Sequence, residues 1–106
     1  MAKPLIKVPP TAKKGEIIEI KTLIAHPMET GYRAGLNGAT LPRDIIRRFV
    51  CSLDGEEIFS ADFSPAIAAN PFLSFFTRIE KSGSITFQWT GDNGFSVSET
   101  VEISVS

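Results

Sequence analysis

Asn70–Ile79 reads NPFLSFFTRI, and its alternation sets the interpretation of the whole chain. In an extended segment successive side chains point to opposite faces. Leu73, Phe75, Thr77 and Ile79 therefore share one side, and Phe72, Ser74, Phe76 and Arg78 share the other. A strand at the surface of a two-layer domain needs only one apolar face. The first set is enough for a core. The second set leaves two readings open: burial beneath the connection Ser64–Asn70, or a surface that another chain covers.

Other segments alternate in the same way. Glu16–Ala25, EIIEIKTLIA, is β-branched, and Ile18, Ile20, Thr22 and Ile24 form its inward face. After a loop from His26 to Pro42, a strand is expected from Ile46, with Phe49, Cys51 and Leu53 inward. A helical turn over Arg43–Arg48 is the other option there. Asp54-Gly55 is a two-residue hairpin signal. Glu57–Phe63 returns, with Phe59, Ala61 and Phe63 on one face. Ser64–Asn70 then leaves room for one helical turn. Beyond Asn70–Glu80, Ser84–Thr90 places Ile85, Phe87 and Trp89 together, with Trp89 as a core anchor. Gly91-Asp92-Asn93-Gly94 and Asn37-Gly38 are turn formers. Phe95–Val105 ends the chain, with Val97, Val101, Ile103 and Val105 on its apolar side. Near the start, Pro4, Pro9 and Pro10 limit Leu5–Val8 to an edge strand, because proline cannot donate to a ladder. Thr11–Gly15 reads as a basic turn. About seven strands, with turn signals roughly every ten residues, predict an all-β, immunoglobulin-like antiparallel β-sandwich.

The 106 residues suggest a single domain, 1–106, large enough to hold a core without disulfides or metals. A net charge of -1 gives no reason to expect nucleic acid or an anionic membrane as partner. No window is long enough to span a membrane, and the first residues carry no apolar run of the length a secretion signal needs. From the residues alone, a soluble cytoplasmic protein is the default.

Reactive chemistry is sparse. His26 is the one histidine and Cys51 the one cysteine. Metal sites usually draw on several imidazoles or thiolates. A copper site from His26, Met28 and Cys51 is conceivable, but Cys51 has inward parity on its strand. A buried thiol in apolar surroundings is inert. Arg43, Arg47 and Arg48 form a small basic cluster, read as a solvated edge ahead of an anion site. No phosphate-binding loop, nucleophile elbow or dinucleotide fingerprint is present.

The segments IEIKTLIAHPMETG (Ile18–Gly31), PRDIIRRFVCSLDG (Pro42–Gly55) and FSADFSPAIAANPFLSFF (Phe59–Phe76), with the Trp89–Gly94 hairpin, resemble the SoxZ family. The resemblance implies an immunoglobulin-like, non-enzymatic subunit with no cofactor. It implies a SoxYZ carrier complex of thiosulfate oxidation, in which SoxY bears sulfur intermediates on a cysteine in a flexible C-terminal arm. Other Sox enzymes then meet the complex. It also implies a periplasmic address, reached by export together with a signal-bearing SoxY, in place of the cytoplasmic default. On this reading Val50, Phe72, Phe76 and Arg78 are the expected interface. The loop residues His26, Met28 and Glu29 are expected to dock the partner or an enzyme. A small metal-dependent redox domain and a self-associating sandwich, homo-oligomeric when alone, are the rival readings.

Overall fold

The computed structural model describes residues 3–35, 38–64 and 66–106. Leu36 and the Asn37 half of the expected Asn37-Gly38 turn lie outside the described residues, as does Pro65 in the connection 64–70. Among the described residues eight strands run in the order β1 (Leu5–Lys7), β2 (Thr11–Ala12), β3 (Glu16–Leu23), β4 (Ile46–Leu53), β5 (Glu56–Asp62), β6 (Phe72–Ile79), β7 (Gly83–Gly91) and β8 (Ser96–Val105). They form two sheets, a three-stranded β1-β3-β6 and a five-stranded β2-β8-β7-β4-β5.

All ladders are antiparallel except one. Thr11 and Ala12, expected in a turn, instead form a short strand parallel to β8, opposite Ser104 and Val105. Pro9-Pro10 explains this departure. Two adjacent residues without N–H groups cannot continue the β1 ladder, so the chain crosses to the other sheet. There the Pro10 carbonyl accepts from Ser104 N–H at 3.1 Å.

The core lies between the sheets and follows the alternation. Ile18, Ile20, Thr22 and Ile24 are buried from one side. Phe49, Cys51, Leu53, Ile85, Phe87 and Trp89 meet them from the other. Phe49 is the hub: its ring centroid lies 5.1 Å from Trp89, 6.0 Å from Phe75 and 6.2 Å from Phe59. Phe59 and Phe75 stack at 4.1 Å, clamping the β5 side of one sheet onto β6 of the other. Aromatic pairs at such spacings add stability beyond the area they bury. Burial pushes the Cys51 thiol up to about 12, so it stays protonated and unreactive at neutral pH.

The turns obey their residues. Asp54 and Gly55 both take positive φ, 48° and 86°, as a two-residue hairpin of matching twist requires. Asp92–Gly94 makes a single 3-10 turn between β7 and β8, with Asn93 at φ 59°. Residues 43–45 are not helical, and the strand begins at Ile46. In the connection after β5 the Ile67 N–H donates to the Ser64 carbonyl at 3.0 Å, and the described residues there form no helix. The long loop is more regular than its composition suggests. Glu29 and Asp44 exchange backbone hydrogen bonds at 2.8 Å each, and Ala34 bridges Thr40, so the loop's two arms are paired at both places.

Candidate functional site: the outer face of the three-stranded sheet

Phe72 and Phe76 point to solvent, 62% and 67% exposed. That exposure removes the first of the two readings. Register then identifies their neighbours. Leu5, Leu23 and Phe72 form one row across β1, β3 and β6, and Lys7, Lys21 and Ser74 the next. Glu19 stands opposite Phe76, and Ile17 opposite Arg78. Leu5 and Ile17 are themselves 67% and 59% exposed. Large side chains that stand out singly are ordinary on a protein surface, but rows of them on one sheet face mark an interaction site.

The polar residues of this face are held in place. Ser74 donates to Glu19 Oε2 at 3.0 Å, and Arg78 Nη1 donates to the Gly15 carbonyl at 3.3 Å. Beside them Leu5, Lys7, Lys21, Leu23 and Phe72 line a shallow cleft of about 280 Å³. Apolar floor and lysine rim are thus combined.

Among the described residues β6 is also an edge, since it pairs with β3 on one side only. Ile24 N–H donates to the Pro71 carbonyl at 3.3 Å, in the same register as the rest of the β3–β6 ladder. Antiparallel pairing alternates, so Leu73, Phe75 and Thr77 bond to β3, while Phe72, Ser74 and Phe76 aim their backbone groups at the free edge. The residues with outward rings are therefore the ones with unpaired N–H and C=O groups. The ladder has no bulge, and β6 contains no proline or lysine, so Arg78 is its one charged guard.

Three expected contributors fall elsewhere. Val50 alternates outward from the five-stranded sheet, opposite Ser60 and Gln88. No flat partner can cover it together with Phe72 and Phe76, because the core lies between them. Only Phe72, Phe76 and Arg78 of the expected set share a face. His26 and Met28 are likewise unsuited to docking, each 5% exposed. Met28 N–H donates to His26 Nδ1 at 2.9 Å, and the Met28 sulfur accepts from Ile46 N–H at 3.3 Å. His26 N–H donates to Asn70 Oδ1 at 3.0 Å, and Phe95 packs edge-on against the imidazole. The Met28 side chain thus ties the loop to β4, the His26 backbone ties it to Asn70 just before β6, and the imidazole holds the Met28 turn. Glu29 is nearer the surface and is paired with Arg33 at 2.7 Å.

Ile17, Leu5 and Leu23 were the residues missed. Their signal was present in the off-face positions of LIK and EIIEIKTL, which are apolar where a solvated face should be polar.

The same end of the sandwich is fastened by Arg43. It donates to both carboxylate oxygens of Asp92, at 2.8 and 3.0 Å, and holds that carboxyl below the usual range. A carboxyl depressed on folding gives stability that is present above its unfolded value and lost as pH falls through its folded value. Asp92→Asn is expected to flatten the loss of stability below about pH 4, read as the urea midpoint between pH 6 and pH 2. An unchanged acid limb would show that the pair contributes nothing.

An all-β sandwich of immunoglobulin-like type, with an uncovered apolar sheet face at an open edge, is the class that fold and site define. The chain belongs to the family described as sulphur oxidation protein SoxZ, whose model matches residues 6–102. No curated protein matches it in sequence. Its fold is similar to that of superoxide reductase (neelaredoxin) from Ignicoccus hospitalis, at 19% identity and TM-score 0.74, covering 97% of this chain and 80% of that one. It is also similar to the sulfur carrier protein SoxY from Chlorobium limicola f thiosulfatophilum, at 16% identity and TM-score 0.67, covering 97% and 78%. A putative superoxide reductase from Thermotoga maritima matches at 18% identity and TM-score 0.70, covering 97% and 85%. At these identities the structures establish the shared fold.

Proposed function

We propose that this chain is the non-catalytic subunit of a SoxYZ carrier complex in thiosulfate oxidation. It binds SoxY through the outer face and free edge of β1-β3-β6 and helps present SoxY's cysteine-bound sulfur intermediates to Sox enzymes. The observation that carries this is the coincidence, on Phe72 and Phe76, of exposed rings with unpaired edge backbone. Addition of a partner strand at such an edge takes affinity from main-chain hydrogen bonds and specificity from alternate side chains. The fold likeness to SoxY supports the pairing, since two sandwiches of one type bring comparable edges together. In this reading the complex works in the periplasm, and this subunit is exported with SoxY.

The likeness to superoxide reductases raises the rival of a metal-dependent redox domain. The chain's candidate donors argue against it. His26 Nδ1 and the Met28 sulfur already accept backbone hydrogen bonds, and Cys51 is buried between the sheets. Among the described residues no group of three or more His, Cys, Asp or Glu side chains is placed to hold a metal.

Co-expression with SoxY, followed by size-exclusion chromatography with light scattering, tests the proposal. One copy of each chain in a single peak is the expected result. A chain that self-associates and leaves SoxY free would overturn it in favour of a homo-oligomeric module.

A further inference from the structure

The opposite sheet carries a second feature that partner binding does not use. β4 opens with Ile46-Arg47-Arg48-Phe49, and strict alternation would turn Arg47 into the core. A bulge prevents this. Ile46 lies opposite Gly91 and Arg48 opposite Thr90, so β4 spends two residues where β7 spends one. Arg47 is the extra residue, and both arginines are exposed while Ile46 and Phe49 on either side are buried. Bulges of this kind re-aim side chains and recur beside functional sites.

The two arginines, with Asp62, Phe63, Thr90 and Gly91, line a cleft of about 500 Å³. Its charges are unequally used. Arg48 is held by Asp62 at 2.7 Å and lies 3.9 Å from Glu57. Arg43, close by in sequence, is engaged by Asp92. Among the described residues Arg47 forms no ion pair with a carboxylate. The Phe63 N–H donates to the Arg47 carbonyl at 2.8 Å, which closes one wall of the cleft.

We propose that this cleft binds a small tetrahedral oxyanion of the sulfate type, with Arg47 as its principal ligand. A guanidinium offers paired N–H donors in a fixed fork that matches an oxyanion edge. Arg48, whose two terminal nitrogens already face Asp62 and Glu57, adds only screened positive charge, and the Thr90 hydroxyl a neutral donor from the neighbouring strand. Donors arriving from two strands suit oxygens disposed in three dimensions. A planar carboxylate would engage the Arg47 fork and leave the Thr90 hydroxyl unused. The site is independent of SoxY binding, because it lies on the other face of the sandwich.

Amide chemical shifts of the purified chain, titrated with sulfate at constant ionic strength against chloride, test this. Saturable shifts centred on Arg47, Arg48, Phe63 and Thr90 are expected, with a dissociation constant of about 1 mM, a scale fitting a few solvent-screened charged contacts. Arg47→Ala should weaken binding at least about tenfold, the equivalent of about 1.4 kcal/mol. Thr90→Val should weaken it less, and Lys14→Ala, at the far edge of the sheet, should leave it unchanged. Thermal unfolding of each variant confirms that the fold persists. An equal response to chloride, unsaturated shifts, or wild-type affinity in Arg47→Ala would overturn the proposal. Acetate binding as tightly as sulfate would overturn the tetrahedral assignment.

Discussion

Phe76→Asp is expected to abolish co-purification with SoxY while leaving the isolated domain folded. Phe76 lies at an edge with its ring outward and its backbone unpaired, so a carboxylate there must be desolvated when a partner strand arrives. Losing a buried aromatic anchor typically costs about 2 kcal/mol or more at an interface, and an unpaired buried charge adds to that. A loss of at least about thirtyfold in affinity follows from the same figure. The monomer pays little, because an exposed strand position changes stability by only about 1 kcal/mol. Phe72→Asp should behave in the same way. Val50→Asp should not, because Val50 faces away from this sheet. Pull-down with tagged SoxY and circular dichroism of each free variant provide the two readouts. Intact pairing in Phe76→Asp, or equal loss in Val50→Asp, would move the interface elsewhere.

Phe49→Ala is expected to cost about 3–5 kcal/mol, among the largest effects of any single truncation in this domain. Phe49 is fully buried and contacts the rings of Phe59, Phe75, Phe87 and Trp89, so alanine leaves a cavity bordered by both sheets. Domains of this size have about 5–15 kcal/mol in all, so the urea midpoint should fall by about a fifth or more. A cost below about 1.5 kcal/mol would mean that the aromatic cluster is not the centre of the fold. SoxY binding by the surviving folded fraction should persist, since Phe49 does not reach the outer face. The two substitutions therefore separate recognition from stability.

Much of this architecture was legible because parity along a strand is a strictly local property. In β3, β6 and β7 the inward sets named from the residues are buried or half-buried in the structure, and Phe72 and Phe76 are outward as their positions require. Asp54-Gly55 and Asp92–Gly94 turn where their φ preferences allow. The site was less legible. Val50 has the same outward parity as Phe72, yet parity carries no information about which sheet a strand joins. His26 and Met28 looked like loop residues available to a partner, and their burial depends on hydrogen bonds to Asn70 and Ile46, distant in sequence. Arg47 and Arg48 read as a solvated edge. Their shared exposure needs a bulge that is visible only once β4 is set against β7.

Alternation and turn chemistry, which act over a few residues, were enough to specify an all-β sandwich, its strands and most of its core. The three quoted segments and the Trp89–Gly94 hairpin were enough to indicate the family. Strand order was decided only by tertiary packing. It put Leu5, Leu23 and Phe72 in one row, left β6 unpaired on one side, moved Thr11 and Ala12 to a parallel edge, and separated Val50 from the aromatic face. The physical reason is that a strand's neighbours are chosen by which apolar faces can be buried together. That is a property of the whole chain, which no single segment contains.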